Sequence, residues 1–217
     1  MTTPTSLYDP RFEHDSCGVG FVASIDGTKS HQIVQWAIQC VCNVTHRGAL
    51  SADAKTGDGA GVSTQLPHQF FAKVMSRLNL PAVAAGDLAI GMIFLSAEAK
   101  RRQAAREIIE KVVRSHGLGI LGWREVPVDP SVLGDKARQS LPAIRQLFIV
   151  RPPTIAPDAF ERTLLLARRR IEMRFERKGF SDCYLPSFSS RVIVYKGLLV
   201  APQLEHFYPD LHDEDFV

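Results

Sequence analysis

Leu88-Ala89-Ile90-Gly91-Met92-Ile93-Phe94-Leu95 is an eight-residue run without a charged or polar side chain. At that length it reads as a buried strand, and it is far below the ~20 residues a membrane span requires. The patterns around it alternate. Residues 31 to 45 carry Ile33, Val34, Ala37, Ile38, Val41 and Val44 at helical spacing, and further helices are expected at 68 to 78, 97 to 115 and 157 to 178, the last with proline at its start. Strands are expected at 119 to 126, 144 to 150 and 190 to 195, with a short one from the glycine cluster at 57 to 61 through Leu66. Val19, Phe21, Ala23 and Ile25 alternate as a period-2 strand does, ending at a turn at Asp26-Gly27. Pattern alone therefore gives an α/β or α+β domain with helices covering sheets. At 217 residues with 45% hydrophobic side chains, one domain with a real core fits, as does part of a larger one.

Charge excludes little. A net +3 on 26 basic and 23 acidic residues is mild. Arg168-Arg169-Arg170 invites a nucleic-acid reading, but Asp158, Glu161, Glu172 and Glu176 share its stretch, and a solvated helix face accounts for it better. No nucleic acid and no membrane partner is expected. The first sixteen residues hold Asp9, Glu13 and Asp15 and no apolar core, so they are not a secretory signal; the cytoplasm is the expected compartment. There Cys17, Cys40, Cys42 and Cys183 read as reduced thiols. Cys40-Val41-Cys42 near His46 has the wrong spacing for zinc, so no metal is expected.

Two glycine patterns imitate the dinucleotide fingerprint, Gly18-Val19-Gly20-Phe21-Val22-Ala23 and Gly117-Leu118-Gly119-Ile120-Leu121-Gly122. The fingerprint needs a strand before it and a helix after it. The first leads into a strand, and the second follows a helix, where Gly117 serves as a terminator. Gly57, Gly59 and Gly61 lack the lysine and hydroxyl of a phosphate loop; a turn where chains pack closely is the simpler reading.

Cys17 carries the chemistry. If the chain is cut between Ser16 and Cys17, a thiol nucleophile and a free α-amine fall on one residue. That amine has a pKa of about 7.7–8.0, against ~10.4 for lysine, so it serves as a base near neutral pH. Behind Cys17-Gly18-Val19-Gly20-Phe21 come Thr45-His46-Arg47-Gly48-Ala49-Leu50, Lys55-Thr56-Gly57-Asp58-Gly59-Ala60-Gly61-Val62, Ser189-Ser190-Arg191-Val192-Ile193-Val194-Tyr195-Lys196-Gly197 and Phe207-Tyr208-Pro209-Asp210-Leu211. This set resembles the class II, N-terminal-nucleophile (Ntn) glutamine amidotransferases, in wording most of all the amidotransferase domain of glutamate synthase large subunits. The resemblance implies an α+β, four-layer αββα Ntn-hydrolase fold, incomplete in this chain. It implies residues 1–16 as a propeptide and 17–217 as the N-terminal part of the amidotransferase domain. It also implies glutamine as substrate, hydrolysed through a Cys17 thioester, with the ammonia aminating 2-oxoglutarate elsewhere in the enzyme. Arg47 is placed near the nucleophile, where a fixed cation helps orient the cysteine strand; capping a helix end is its plainer role. FMN, an iron–sulfur cluster, the rest of the large subunit and a small subunit are implied for the full enzyme, and no cofactor for this segment.

The chain departs from the family in one respect. The resemblance implies an Arg-Phe-Ser clamp for the substrate carboxylate and an Asn-Gly oxyanion hole. Here Arg11-Phe12 and Arg174-Phe175 are each followed by glutamate, and Asn-Gly is absent. The resemblance runs through Asp215-Phe216-Val217, so the substrate-binding residues are unknown and their motifs are expected beyond Val217. The expectation is of a nucleophile without its clamp. The alternative is a truncated or split-gene product without activity, acting at most as a binding partner.

Overall fold

The computed structural model describes residues 18–45 and 55–217. Cys17, Arg47, the His46 and Gly48 beside it, and residues 1–16 lie outside the described residues.

Helix α1 (His31–Asn43) buries Val34 and Ile38. Strand β1 (Ala60–Gln65) leads into helix α2 (His68–Arg77). Strand β2 (Leu88–Leu95) spans the apolar run, and helix α3 (Ala99–Ser115) follows. Strand β3 (Gly119–Glu125), the short helix α4 (Asp135–Gln139) and strand β4 (Ala143–Val150) come next. Helix α5 (Pro157–Arg177), strands β5 (Tyr184–Ser189) and β6 (Val192–Gly197) and the single turn α6 (Leu204–Phe207) complete the order.

Four strands form an antiparallel sheet in the order β3-β4-β2-β5, and β1 pairs antiparallel with β6 in a second sheet, Val62 opposite Tyr195. Because successive strand side chains point to opposite faces, β2 divides its apolar run between two cores. Ala89, Ile93 and Leu95 face one cluster with Leu147 and Ile149 of β4, Ile109 and Val112 of α3, and Leu164 and Ile171 of α5. Leu88, Ile90, Met92 and Phe94 face the other, with Phe148, Val62 of β1, Tyr195 of β6, Val34 and Ile38 of α1, and Phe70 and Phe71 of α2. Helices thus cover one face of the four-stranded sheet, while the two-stranded sheet, α1 and α2 lie on the other. The α5 core stripe of Phe160, Leu164, Ala167, Ile171 and Phe175 follows the three- and four-residue spacing of a helix face. Each of the four larger side chains, fully buried, contributes about 1.5–3 kcal/mol.

Gly117 ends α3 as expected. At φ +73 its N–H donates to Arg114 and that of Leu118 donates to Val113, the paired bonds of a Schellman stop. Since α3 precedes it and β3 follows from Gly119, the fingerprint context is missing.

The strand expected over 19 to 25 does not form. Residues 18–24 have no regular structure, and the chain turns at Ile25-Asp26, with Gly27 donating to Ser24 at 3.3 Å. Val19, Phe21 and Ile25 are exposed, Phe21 to 93%. Alternation specifies which side chains share a face, but a strand also needs a partner edge. Among the described residues no ladder reaches this segment.

Candidate functional site

The nucleophile expected from sequence, Cys17, and Arg47 lie outside the described residues, so the site is approached through the elements that flank them. Gly18 and Gly20 stand at the start of the described chain. Gly20 lies against α1, where a Cβ would overlap the Cys40 sulfur. The half-buried Cys40 therefore packs against backbone, and a side chain at Gly20 would require the Cys40 thiol to move.

The glycine turn at 57 to 61 packs against β6 and the segment just after it. A Cβ at Gly57 would lie 2.8 Å from the Leu199 carbonyl oxygen and 2.9 Å from a Val200 methyl, and one at Gly61 would lie 2.8 Å from the Tyr195 carbonyl oxygen. Ordinary Cβ contacts are longer, so these glycines are required by close approach of backbone. The packing reading of this motif holds, with β6 as its neighbour. Gln203 fastens the same corner. Its amide nitrogen donates to the carbonyls of Lys55 at 2.9 Å and Val132 at 2.7 Å, and its oxygen accepts from the Val200 N–H at 2.9 Å.

Behind β6 is a buried polar cycle that sequence reasoning did not find. Arg124 of β3 donates two hydrogen bonds to Asp210, at 2.6 and 2.7 Å, and one to the Gln146 oxygen at 2.8 Å. Gln146 donates to the Tyr195 hydroxyl at 2.9 Å, and that hydroxyl donates to Asp210 at 2.8 Å. Each donor meets an acceptor, as burial of polar groups demands. Burial and the adjacent Asp210 charge push the Tyr195 phenol well up, so it stays a neutral donor. Burial works against the Arg124 charge, and the hydrogen bonds and charge of Asp210 more than offset it. The Arg124 guanidinium also sits 5.5 Å from the Phe70 ring centre. The cycle joins β3, β4, β6 and the 3-10 turn Pro209–His212, and so fixes the strand on which the glycine turn rests. No periodic pattern signals it, because Arg124 and Asp210 are 86 residues apart.

The other cysteines are packing residues. Burial raises the thiol pKa of Cys42 and of Cys183, which keeps both as unreactive thiols at neutral pH. Among the described residues no group of three or more His, Cys, Asp or Glu is placed to hold a metal ion. No helix among them is long and apolar enough to cross a membrane. Two of the arginine triplet are paired within the helix layer, Arg168 and Arg169 both with Glu172, and Arg168 also donates to the Leu185 carbonyl; Arg170 is exposed. The Arg174-Phe175-Glu176 sequence lies in α5 with Phe175 in the core, a helical segment and not a substrate clamp. Val217 itself is half-buried next to the buried Phe216, whose carbonyl oxygen lies 3.1 Å from His31 Nδ1 at the start of α1.

A sequence model of the class II glutamine amidotransferases matches residues 17–217, beginning on Cys17. The chain belongs to that family. Among relatives of this amidotransferase, the glutamate synthase [NADPH] large chain of Azospirillum brasilense is 40% identical over 215 residues, 99% of this chain and 14% of the relative. The corresponding large chain of Bacillus subtilis is 39% identical over 218 residues, covering 100% of this chain and 14% of the relative. The ferredoxin-dependent glutamate synthase 2 of Synechocystis is 41% identical over 204 residues, 94% of this chain and 13% of its own. The amidotransferase chain thus spans about a seventh of the length of these relatives.

Proposed function

We propose that this chain supplies the glutaminase chemistry of a glutamate synthase, with Cys17 as nucleophile after removal of residues 1–16. The family match beginning on Cys17 carries this reading. On it, the Cys17 thiol attacks the side-chain amide carbon of glutamine and passes its proton to the Cys17 α-amine. The amine returns that proton to the leaving nitrogen, the C–N bond breaks, and ammonia departs from a γ-glutamyl thioester. Water then releases glutamate and regenerates the thiol. Residues 17–217 are the N-terminal part of the amidotransferase domain. The layering of α3 and α5, the four-stranded sheet, the two-stranded sheet and α1 supports the four-layer αββα Ntn arrangement. Arg47 follows the helix that packs on Gly20, which supports a role in holding the cysteine segment.

In the full enzyme, on this reading, the ammonia aminates 2-oxoglutarate with electrons handled by FMN and an iron–sulfur cluster. On the same reading those groups belong to the full enzyme, whose partners include the rest of the large subunit and a small subunit. Cytoplasmic residence fits the reading. The oxyanion donors and carboxylate clamp are missing from the 217 residues, and each oxyanion donor is worth roughly 2.7–4 kcal/mol. These residues assayed alone should release no more ammonia from glutamine than a Cys17→Ser control.

The test uses the full-length enzyme. Intact mass should show Cys17 as the first residue. Cys17→Ser should abolish glutamine-dependent synthesis and spare ammonia-dependent synthesis. An active enzyme that retains Met1 would overturn the amine-as-base mechanism.

A further inference from the structure

Helices α3 and α5 together carry twelve lysines and arginines against six carboxylates, whereas the whole chain has 26 basic and 23 acidic residues. The two helices are therefore at +6 and everything else at −3, so the basic charge is gathered on one layer. Part of it is neutralised locally, by Arg101 with Asp182, Arg114 with Glu110, and Arg168 and Arg169 with Glu172. Among the described residues Lys111, Arg170, Arg174, Arg177 and Lys178 have no ion-pair partner.

Four of these five ring a groove of about 480 Å³ between the helices, with Lys111 on the α3 side and Arg174, Arg177 and Lys178 on the α5 side. Ala104, Ile108 and Phe180 make its apolar floor. Elsewhere on α5, Leu165, Leu166 and Met173 are also exposed. Arg174 and Arg177 complement the negative end of the α5 dipole; Arg170 and Lys111 stand outside the last turns of their helices and are not explained that way.

We propose that the α3–α5 face is a docking surface for an acidic protein segment that inserts an apolar side chain into the groove. Charge complementarity selects an acidic partner, and the apolar floor selects an anchor residue. The length of the face excludes a small anion as its main occupant, since the 21 residues of α5 extend about 30 Å at ~1.5 Å per residue. A nucleic-acid backbone fits less well. Phosphates have no use for the apolar floor, while Glu107, which also lines the groove, opposes phosphates and an acidic segment alike.

The test is fluorescence anisotropy of the full-length enzyme with four probes. These are a short labelled peptide of glutamates with leucines at helical spacing, the same peptide with serine for leucine, a DNA duplex of equal charge, and phosphatidylserine vesicles. The leucine peptide should bind, weaken as salt rises, and bind more tightly than the other three probes. Lys111→Glu with Arg177→Glu should weaken it by roughly tenfold or more, and Lys111→Gln with Arg177→Gln by less. Lys29→Glu with Lys136→Glu, exposed sites away from the groove, should leave it within about twofold. Circular dichroism checks folding, and if the reversal pair does not fold the glutamine pair decides. The proposal is overturned if the serine peptide binds equally, if DNA or vesicles bind more tightly, or if neither groove variant differs from wild type.

Discussion

Asp210→Ala removes the acceptor around which the buried cycle closes. The Arg124 and Asp210 side chains are 12% and 4% exposed, so the arginine cannot turn to water without moving β3. The substitution strands its charge and takes the acceptor from the Tyr195 hydroxyl. Breaking one side of a buried ion pair costs about 3–5 kcal/mol, against a total stability on the order of 5–15 kcal/mol. For a chain of this size the melting temperature falls about 2–4 °C per kcal/mol, which predicts a drop of roughly 6–20 °C. Arg124→Met combined with Asp210→Leu removes both charges together and leaves Tyr195 bonded to Gln146. The remaining losses are the donor to the Gln146 oxygen and the acceptor of the Tyr195 hydroxyl, about 1–3 kcal/mol each. Urea unfolding followed by circular dichroism measures both variants. A single variant within about 1 kcal/mol of wild type would refute the claim that the cycle is held by mutual satisfaction of buried charge.

Gly57→Ala should destabilise the chain by about 1–3 kcal/mol through overlap with Leu199 and Val200. Gly86→Ala, where nothing lies within 4 Å, should be neutral or stabilising by up to about 1 kcal/mol; equal effects in urea melts would contradict the close-packing account. Burial and then the Lys29 charge lower the His68 pKa, so the unfolded state binds the proton more readily. Its contribution is complete at high pH and declines as pH falls through the ordinary value near 6.5 toward the lower folded value; His68→Gln should flatten the stability–pH curve in that window. In the full-length enzyme a diazo-ketone glutamine analogue should label Cys17 and spare Cys40, Cys42 and Cys183, as peptide mass mapping will show. Even labelling of all four would mean there is no activated thiol.

Much of this protein is set locally. Leu88–Leu95 must be a buried strand because nothing in it tolerates water, and the α5 stripe from Phe160 to Phe175 must face a core because its spacing admits one apolar side. Gly117 must stop α3 because its backbone adopts a positive φ at little cost. The role proposed for Cys17 also rests on sequence, on its neighbours and their resemblance to a family. Tertiary structure decided the rest. Val19 to Ile25 alternates as well as any strand yet forms none, since hydrogen-bond partners come from elsewhere in the chain. Tyr184–Ser189 contains Pro186 and carries no strand signal of its own, but it takes the edge of its sheet, the place where a missing N–H does no harm. Arg124, Gln146, Tyr195 and Asp210 are unremarkable singly; only the packing of β3, β4 and β6 brings them within 2.6–2.9 Å of one another, because long-range pairing of charge leaves no periodic trace in sequence.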